Sequence, residues 1–224
     1  MFQLKIISCG LKIVGKPHIQ AMLDACTQKV KNSELISGFD MVNEEDYNPG
    51  CDEFLAQMYE AKAKLGGDLN FYLHSGESNS RENTELYDSI LLGTKRIGHG
   101  FNLTLHPKLL QMVKDQNICI ECCPVSNRIL GYTNDLRIHP ARALLANGVK
   151  VSISPDDQGF FDARGTTLDF VLVFLAWKLT LADLKQLCLN SIEFASISQE
   201  EKDKLTVFFD YKWRRFLAYV RGRY

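Results

Sequence analysis

Between Leu69 and Asp157 the chain repeats one local pattern four times: a short apolar run that ends in a tight cluster of polar and ionisable side chains. The runs open into His74-Ser75-Gly76-Glu77, into His99-Gly100 after Arg96-Ile97-Gly98, into Glu121-Cys122-Cys123-Pro124-Val125-Ser126-Asn127, and into Ser154-Pro155-Asp156-Asp157. Apolar runs this short read as buried strands, and parallel strands need a crossover between them rather than a tight turn. The intervening segments have helical spacing: 85–94 turns Leu86, Ile90 and Leu91 inward, 107–114 opens on Pro107, and 140–146 stops at Asn147-Gly148. Upstream, strands at 4–9 and 35–42 alternate with helices at 18–31 and 54–65. Six strands, each followed by a helix, predict an α/β fold with a parallel sheet and right-handed crossovers. The tail is expected to be helical, with capping boxes at Thr180-x-x-Asp183 and Ser198-x-x-Glu201. Its aromatics Phe208, Tyr211, Trp213 and Phe216 are expected to pack into the core.

The 224 residues suit one large domain, taken as 1–224. With 26 basic and 27 acidic residues there is no general field to attract nucleic acid or anionic lipid, so the expected partner is a small molecule bound locally. The longest apolar run, 170–177, is far shorter than the roughly twenty residues of a membrane span. The amino terminus lacks the basic start and long apolar region of a signal peptide. The seven cysteines are irregularly placed and are read as neither a zinc ribbon nor a redox site, with Cys119 and Cys122 as buried inert thiols. One sequon, Asn102-Leu103-Thr104, follows the His99 cluster, where a glycan would obstruct a site mouth.

In parallel β/α architectures the reacting groups stand at the carboxyl ends of the strands, where all four clusters fall. His74 and Asp156 offer one nitrogen and one carboxylate oxygen from different strands, a donor pair suited to zinc. Glu77, His99 and Asp157 add acid, base and hydrogen-bonding groups. Metal-assisted hydrolysis is the chemistry this set predicts.

With these residues in view, the chain resembles the adenosine deaminase family, and within it the secreted adenosine deaminase-related growth factors. His74-Ser-Gly-Glu77 is similar to the family's His-Ala-Gly-Glu, Arg96-Ile-Gly-His99-Gly matches its motif, Cys123-Pro-Val-Ser-Asn127 its Cys-Pro-x-Ser-Asn, and Asp156-Asp157 its aspartate pair. Gly38-Phe-Asp40, the 92–101 segment, Asp135-Leu-Arg137 with His139-Pro140, and Asn190-Ser-Ile192 resemble the growth-factor branch. The resemblance implies a TIM-type (β/α) barrel and hydrolysis of adenosine and 2'-deoxyadenosine to inosine products and ammonia. It assigns one zinc ion to His74 and Asp156, proton donation at purine N1 to Glu77, deprotonation of the attacking water to His99, and the purine N7 side to Asp157, with Asn43 and Gly76 as further substrate contacts. His106 and His139 are expected to be structural. By the growth-factor branch the expected location is extracellular.

The departures carry their own expectations. The family's first strand bears a His-x-His pair that completes its zinc site, and none of the five histidines here forms such a pair. The six strands correspond to the family's third to eighth, so a partial barrel with two family ligands unmatched is expected, with impaired activity for the chain alone and open strand edges inviting homodimerisation. Asn43 replaces a glycine that approaches the purine, Ser75 replaces alanine, and Pro155 and Gln158 replace the residues flanking the aspartates. Two other readings fit the residues: a catalytically inactive paralogue kept for binding or growth-factor signalling, and an amidohydrolase acting on another purine. The pattern of the nucleic-acid-editing zinc deaminases is not present.

Overall fold

The computed structural model describes residues 4–162 and 164–223; the first three residues, read above for a leader, lie outside them. Strand β1 (Ile6–Leu11) and strand β2 (Ile36–Val42) pair in parallel, joined by helix α1 (Lys16–Asn32). Pro17 sits in the first turn of α1, and Ile19, Leu23 and Cys26 form the buried stripe that helical spacing requires. Helix α2 (Leu55–Lys64) leads to β3 (Tyr72–Ser75), and β4 (Arg96–His99), β5 (Cys119–Cys122) and β6 (Val151–Ile153) follow in chain order, all parallel. A single bridge between Phe39 and Phe71 links the two-stranded and four-stranded ladders. The result is the expected partial barrel of six strands. Among the described residues, β1 and β6 each have a strand partner on one side alone.

Crossovers run through α3 (Glu85–Leu91), α4 (Pro107–Asp115), α5 (Pro124–Ile129) and α6 (Ala141–Ala146). Helices α7 (Thr167–Ala176), α8 (Leu181–Glu193) and α9 (Gln199–Arg221) close the chain, and both capping boxes form. One apolar cluster joins α1, α2, β2 and β3 through Leu23, Phe39, Met58 and Leu73, with Phe54 and Phe71 beside them. A second lies beneath the four-stranded ladder and includes Ile97, Ile120, Val151, Val173 and Trp177.

The joint between the ladders depends on Gly38. A Cβ there would lie 2.4 Å from the Asn70 carbonyl oxygen and 2.7 Å from the Tyr72 ring. The Asn70 oxygen accepts the Phe39 N–H at 3.0 Å, so the backbone cannot yield without breaking the joint. Gly38→Ala is therefore expected to destabilise the chain by about 1–3 kcal/mol. An unchanged midpoint in urea denaturation would show that the seam is free to open.

Three sequence expectations change, and the reading of Cys119 and Cys122 as buried inert thiols holds. β3 begins at Tyr72 and runs through His74 and Ser75, so the histidine lies within the strand's last residues rather than beyond it. The polar cluster 124–129 is a short helix, because Pro124 fixes its first turn. Cys119 and Cys122 have the C-x-x-C spacing, but on a strand residues three apart point to opposite faces; both are fully buried and free. Finally, α9 buries no residue: Phe208 and Tyr211 are 56% exposed and Phe216 40%. Its rings cover one another instead, Trp213 packing on Phe209 and Phe216 at 5.8 and 5.3 Å between centroids. Asn102 of the sequon is buried and donates to the Ser80 carbonyl at 3.0 Å, which leaves no room for a glycan in the folded chain. Among the described residues no helix is long and apolar enough to cross a membrane.

Candidate functional site

The strands deliver His74, His99 and Asp156 to one place. One donor atom from each lies within 4.8 Å of the other two. His99 and Asp156 both adopt left-handed backbone conformations, with φ of 66° and 55°. Side chains other than glycine rarely hold that region, and strain of this kind collects where geometry is fixed for function. Here it turns the end of β4 and the loop after β6 so that both side chains face the same space.

His74 is held from behind. Asp40, in β2, accepts the His74 backbone N–H at 2.9 Å and lies 2.6 Å from its ring Nδ1, leaving Nε2 free to face the cluster. A carboxylate on the far nitrogen is the usual means of orienting a metal-binding imidazole. Burial disfavours charge on His74, but Asp40's charge and hydrogen bond, then Glu121 and Asp156, raise its pKa to about 10. The carboxylates around His74 thus favour positive charge on or beside its ring. The imidazole of His74 and the carboxylate of Asp156 suit zinc, His99 lies beside them, and the residues present fit such an ion.

Glu77 and His99 form a contrasting pair, with Glu77 Oε1 3.0 Å from His99 Nδ1. Burial, reinforced by the charge of Asp156, pushes the Glu77 carboxyl up to about 8. Burial, with the neighbouring His74 and His139, holds His99 well below its ordinary value. The first is then a carboxylic acid near neutrality and the second a neutral base, the separation that acid/base chemistry requires. His99 Nε2 faces Asp156 Oδ2 at 3.9 Å.

The turn after β3 is fixed by Glu45, whose carboxylate accepts the N–H groups of Gly76 and Glu77 at 2.9 and 3.1 Å. Gly76 has a φ of 75°, and an added Cβ would lie 2.5 Å from Asn102 Oδ1. Its N–H goes to Glu45 and its carbonyl to the Asn102 N–H, so its backbone is engaged within the protein. Asp157 follows Asp156 and is exposed. Asn43 stands just past β2 with a φ of 156°, a disposition suited to glycine. Sequence reasoning assigned no role to Asp40, Glu45 or Asn127. Asp40 had a legible signal, because it is a carboxylate near the carboxyl end of a strand beside the His74 strand.

His106 and His139 are both largely buried, in keeping with their structural reading. His139 packs against Phe101 and Trp177, and burial lowers its pKa to about 4. The unfolded chain takes up this proton near pH 6.5 and the folded chain near pH 4. Stability from this group is therefore complete above about 6.5 and is lost as pH falls toward 4, by about 3 kcal/mol. The effect is read as a difference: between pH 6.5 and 4 the unaltered chain should lose stability in urea relative to His139→Gln, because the buried carboxyls, which gain stability with acid, contribute to both.

Comparison with known proteins adds the following. The sequence model described as adenosine deaminase matches residues 2–210. Adenosine deaminase 2 of Dictyostelium discoideum is 40% identical over 229 residues, covering 100% of this chain and 42% of that protein. Adenosine deaminase 2 of Homo sapiens is 32% identical, covering 94% of this chain and 44% of that one. The chain thus spans less than half the length of these relatives. Among solved structures, a zinc-bound amidohydrolase from Burkholderia ambifaria superposes with a TM-score of 0.81 at 19% identity, over 97% of this chain and 59% of that one. The apo N6-methyl-AMP deaminase of Arabidopsis thaliana gives a TM-score of 0.78, also at 19% identity, over 92% and 58%. These structural likenesses establish the fold.

Proposed function

Because the chain belongs to the adenosine deaminase family, we propose that its strand-end cluster is a zinc-dependent purine deaminase site whose substrates are adenosine and 2'-deoxyadenosine. The observation that carries this reading is the pairing of an acid and a neutral base, Glu77 and His99, beside the His74 and Asp156 donors. His74 and Asp156 would hold the ion, which when bound lowers the pKa of water toward about 7. Glu77 delivers its proton to purine N1, making C6 electrophilic. His99 takes a proton from the water whose oxygen adds to C6 and returns it to the amino group as the C6–N bond breaks, while the remaining hydroxyl proton passes to the Glu77 carboxylate, so that the products are the 6-oxopurine nucleoside and ammonia and Glu77 is restored. Asp157 contacts the N7 side, and the Asn43 side chain narrows the purine end of the pocket.

The family ligands among this chain's own residues are His74 and Asp156, so it is expected to need excess zinc; a preceding His-x-His segment is expected to relieve that need. The test is elemental analysis for zinc together with ammonia release from adenosine, 2'-deoxyadenosine, AMP and adenine, for the chain with and without that segment. Zinc uptake lost in His74→Ala, with ammonia released from adenosine, supports the reading. Zinc uptake without ammonia from any of the four, in either form, sinks it. Preference for AMP or adenine would keep the chemistry and replace the substrate.

A further inference from the structure

We propose that His139 is a positioning residue for Glu77, acting through Asn127. His139 Nδ1 accepts the Ala141 backbone N–H at 3.1 Å, so the ring's single proton in the neutral form must reside on Nε2. That Nε2–H points at Asn127 Oδ1, 3.1 Å away. The Asn127 amide is thereby forced to turn its Nδ2 the other way, where it lies 3.0 Å from Glu77 Oε1 and 3.3 Å from His99 Nδ1.

The direction of the amide is decided at the His139 end. A protonated Glu77 can accept from an amide N–H or donate to an amide oxygen, so by itself it tolerates either orientation of Asn127. His139 does not: a rotated amide would set its N–H groups against the Nε2–H, two donors facing each other in a buried site. Asn127 is fully buried and His139 is 2% exposed, so water does not relieve the mismatch. The burial that keeps His139 neutral supports the same proton placement. The Ala141 N–H, in the first turn of α6, thus sets the tautomer of His139. The tautomer sets Asn127, and Asn127 holds the Glu77 carboxyl on His99.

The catalytic consequence rests on the deaminase reading above; the chain of hydrogen bonds does not, and the two are tested separately. The first arm is side-chain 1H–15N NMR on the full, zinc-free chain. It should show His139 protonated at Nε2 and not Nδ1, and Asn127 amide protons that exchange slowly, the slow exchange disappearing in His139→Leu. A proton on Nδ1, or Asn127 amide signals unchanged in a His139→Leu variant that still melts cooperatively, would overturn the proposal. If that variant does not fold, His139→Gln serves, since its amide can accept from Ala141 and donate to Asn127, and it should keep the slow exchange. The second arm is adenosine turnover with zinc: His139→Leu and Asn127→Asp should each lower kcat about 10- to 100-fold with little change in KM. His139→Gln should restore most of the loss, and its failure to do so while folded would also count against the relay. Should the chain release no ammonia either alone or behind a His-x-His segment, the deaminase reading fails and the NMR arm alone decides the relay; otherwise the second arm is read in whichever form turns over.

Discussion

Replacing Lys12 with methionine is expected to destabilise the chain by about 3–5 kcal/mol, the cost of stranding buried carboxylates without their cation. The Lys12 side chain has no exposed surface, and its ammonium is bonded to Glu85, itself almost wholly buried. Glu45 belongs to the same cluster, and burial raises the pKa of both acids, Glu85 to about 7, while the Lys12 charge opposes the rise. Without Lys12 both values climb further. A folded-state carboxyl pKa above its unfolded value means that the folded chain binds more protons, so stability falls as pH rises from about 4.5 through the folded value. The deficit of Lys12→Met should therefore be larger at pH 8 than at pH 5 in urea denaturation. Adding Glu85→Gln should recover much of it, because one buried charge is removed with the other. A deficit that does not depend on pH would mean that the loss comes from packing of the lysine stem. Glu45 also fixes the N–H groups of Gly76 and Glu77, so the same substitution should loosen the turn that carries the proposed acid.

Lys12 shows where sequence reading stops. It lies between Leu11 and Ile13 at the end of a strand, and nothing in its neighbours says that its head meets an acid 73 residues away. The strand-end pattern was legible because burial of a parallel strand demands an unbroken apolar run, and the polar residue that ends it is conspicuous. His74, His99 and Asp156 were found that way, and their donor atoms do converge. Residues that act at one remove have no such mark. Asn127 lies in a helix too short to show a period, and its partner His139 looks like an ordinary helix-opening His-Pro pair; only their juxtaposition in space gives them a task. The aromatic tail misled for the opposite reason. Rings at helical spacing imply a buried face, but in α9 Trp213 packs on its own neighbours Phe209 and Phe216 while Phe208 and Tyr211 stay exposed.

Glu77→Gln is expected to lower adenosine turnover about 10²- to 10⁴-fold, the range for losing a positioned proton donor, while leaving zinc uptake unchanged. Glutamine has nearly the same shape, and its amide oxygen can still accept from Asn127 Nδ2 where the Glu77 carboxyl now does at 3.0 Å. It can offer a hydrogen bond to purine N1 but cannot transfer a proton, so KM should hold while kcat falls. Zinc should be spared because the donor atoms that converge belong to His74, His99 and Asp156, and Glu77 is not among them. His74→Gln makes the complementary case: Asp40 loses the imidazole it orients, and zinc and turnover should decline together. If Glu77→Gln instead lowers zinc and turnover in parallel, Glu77 maintains the metal site and proton delivery to N1 lies elsewhere. If turnover is untouched, the raised pKa of Glu77 is a consequence of burial with no part in the chemistry.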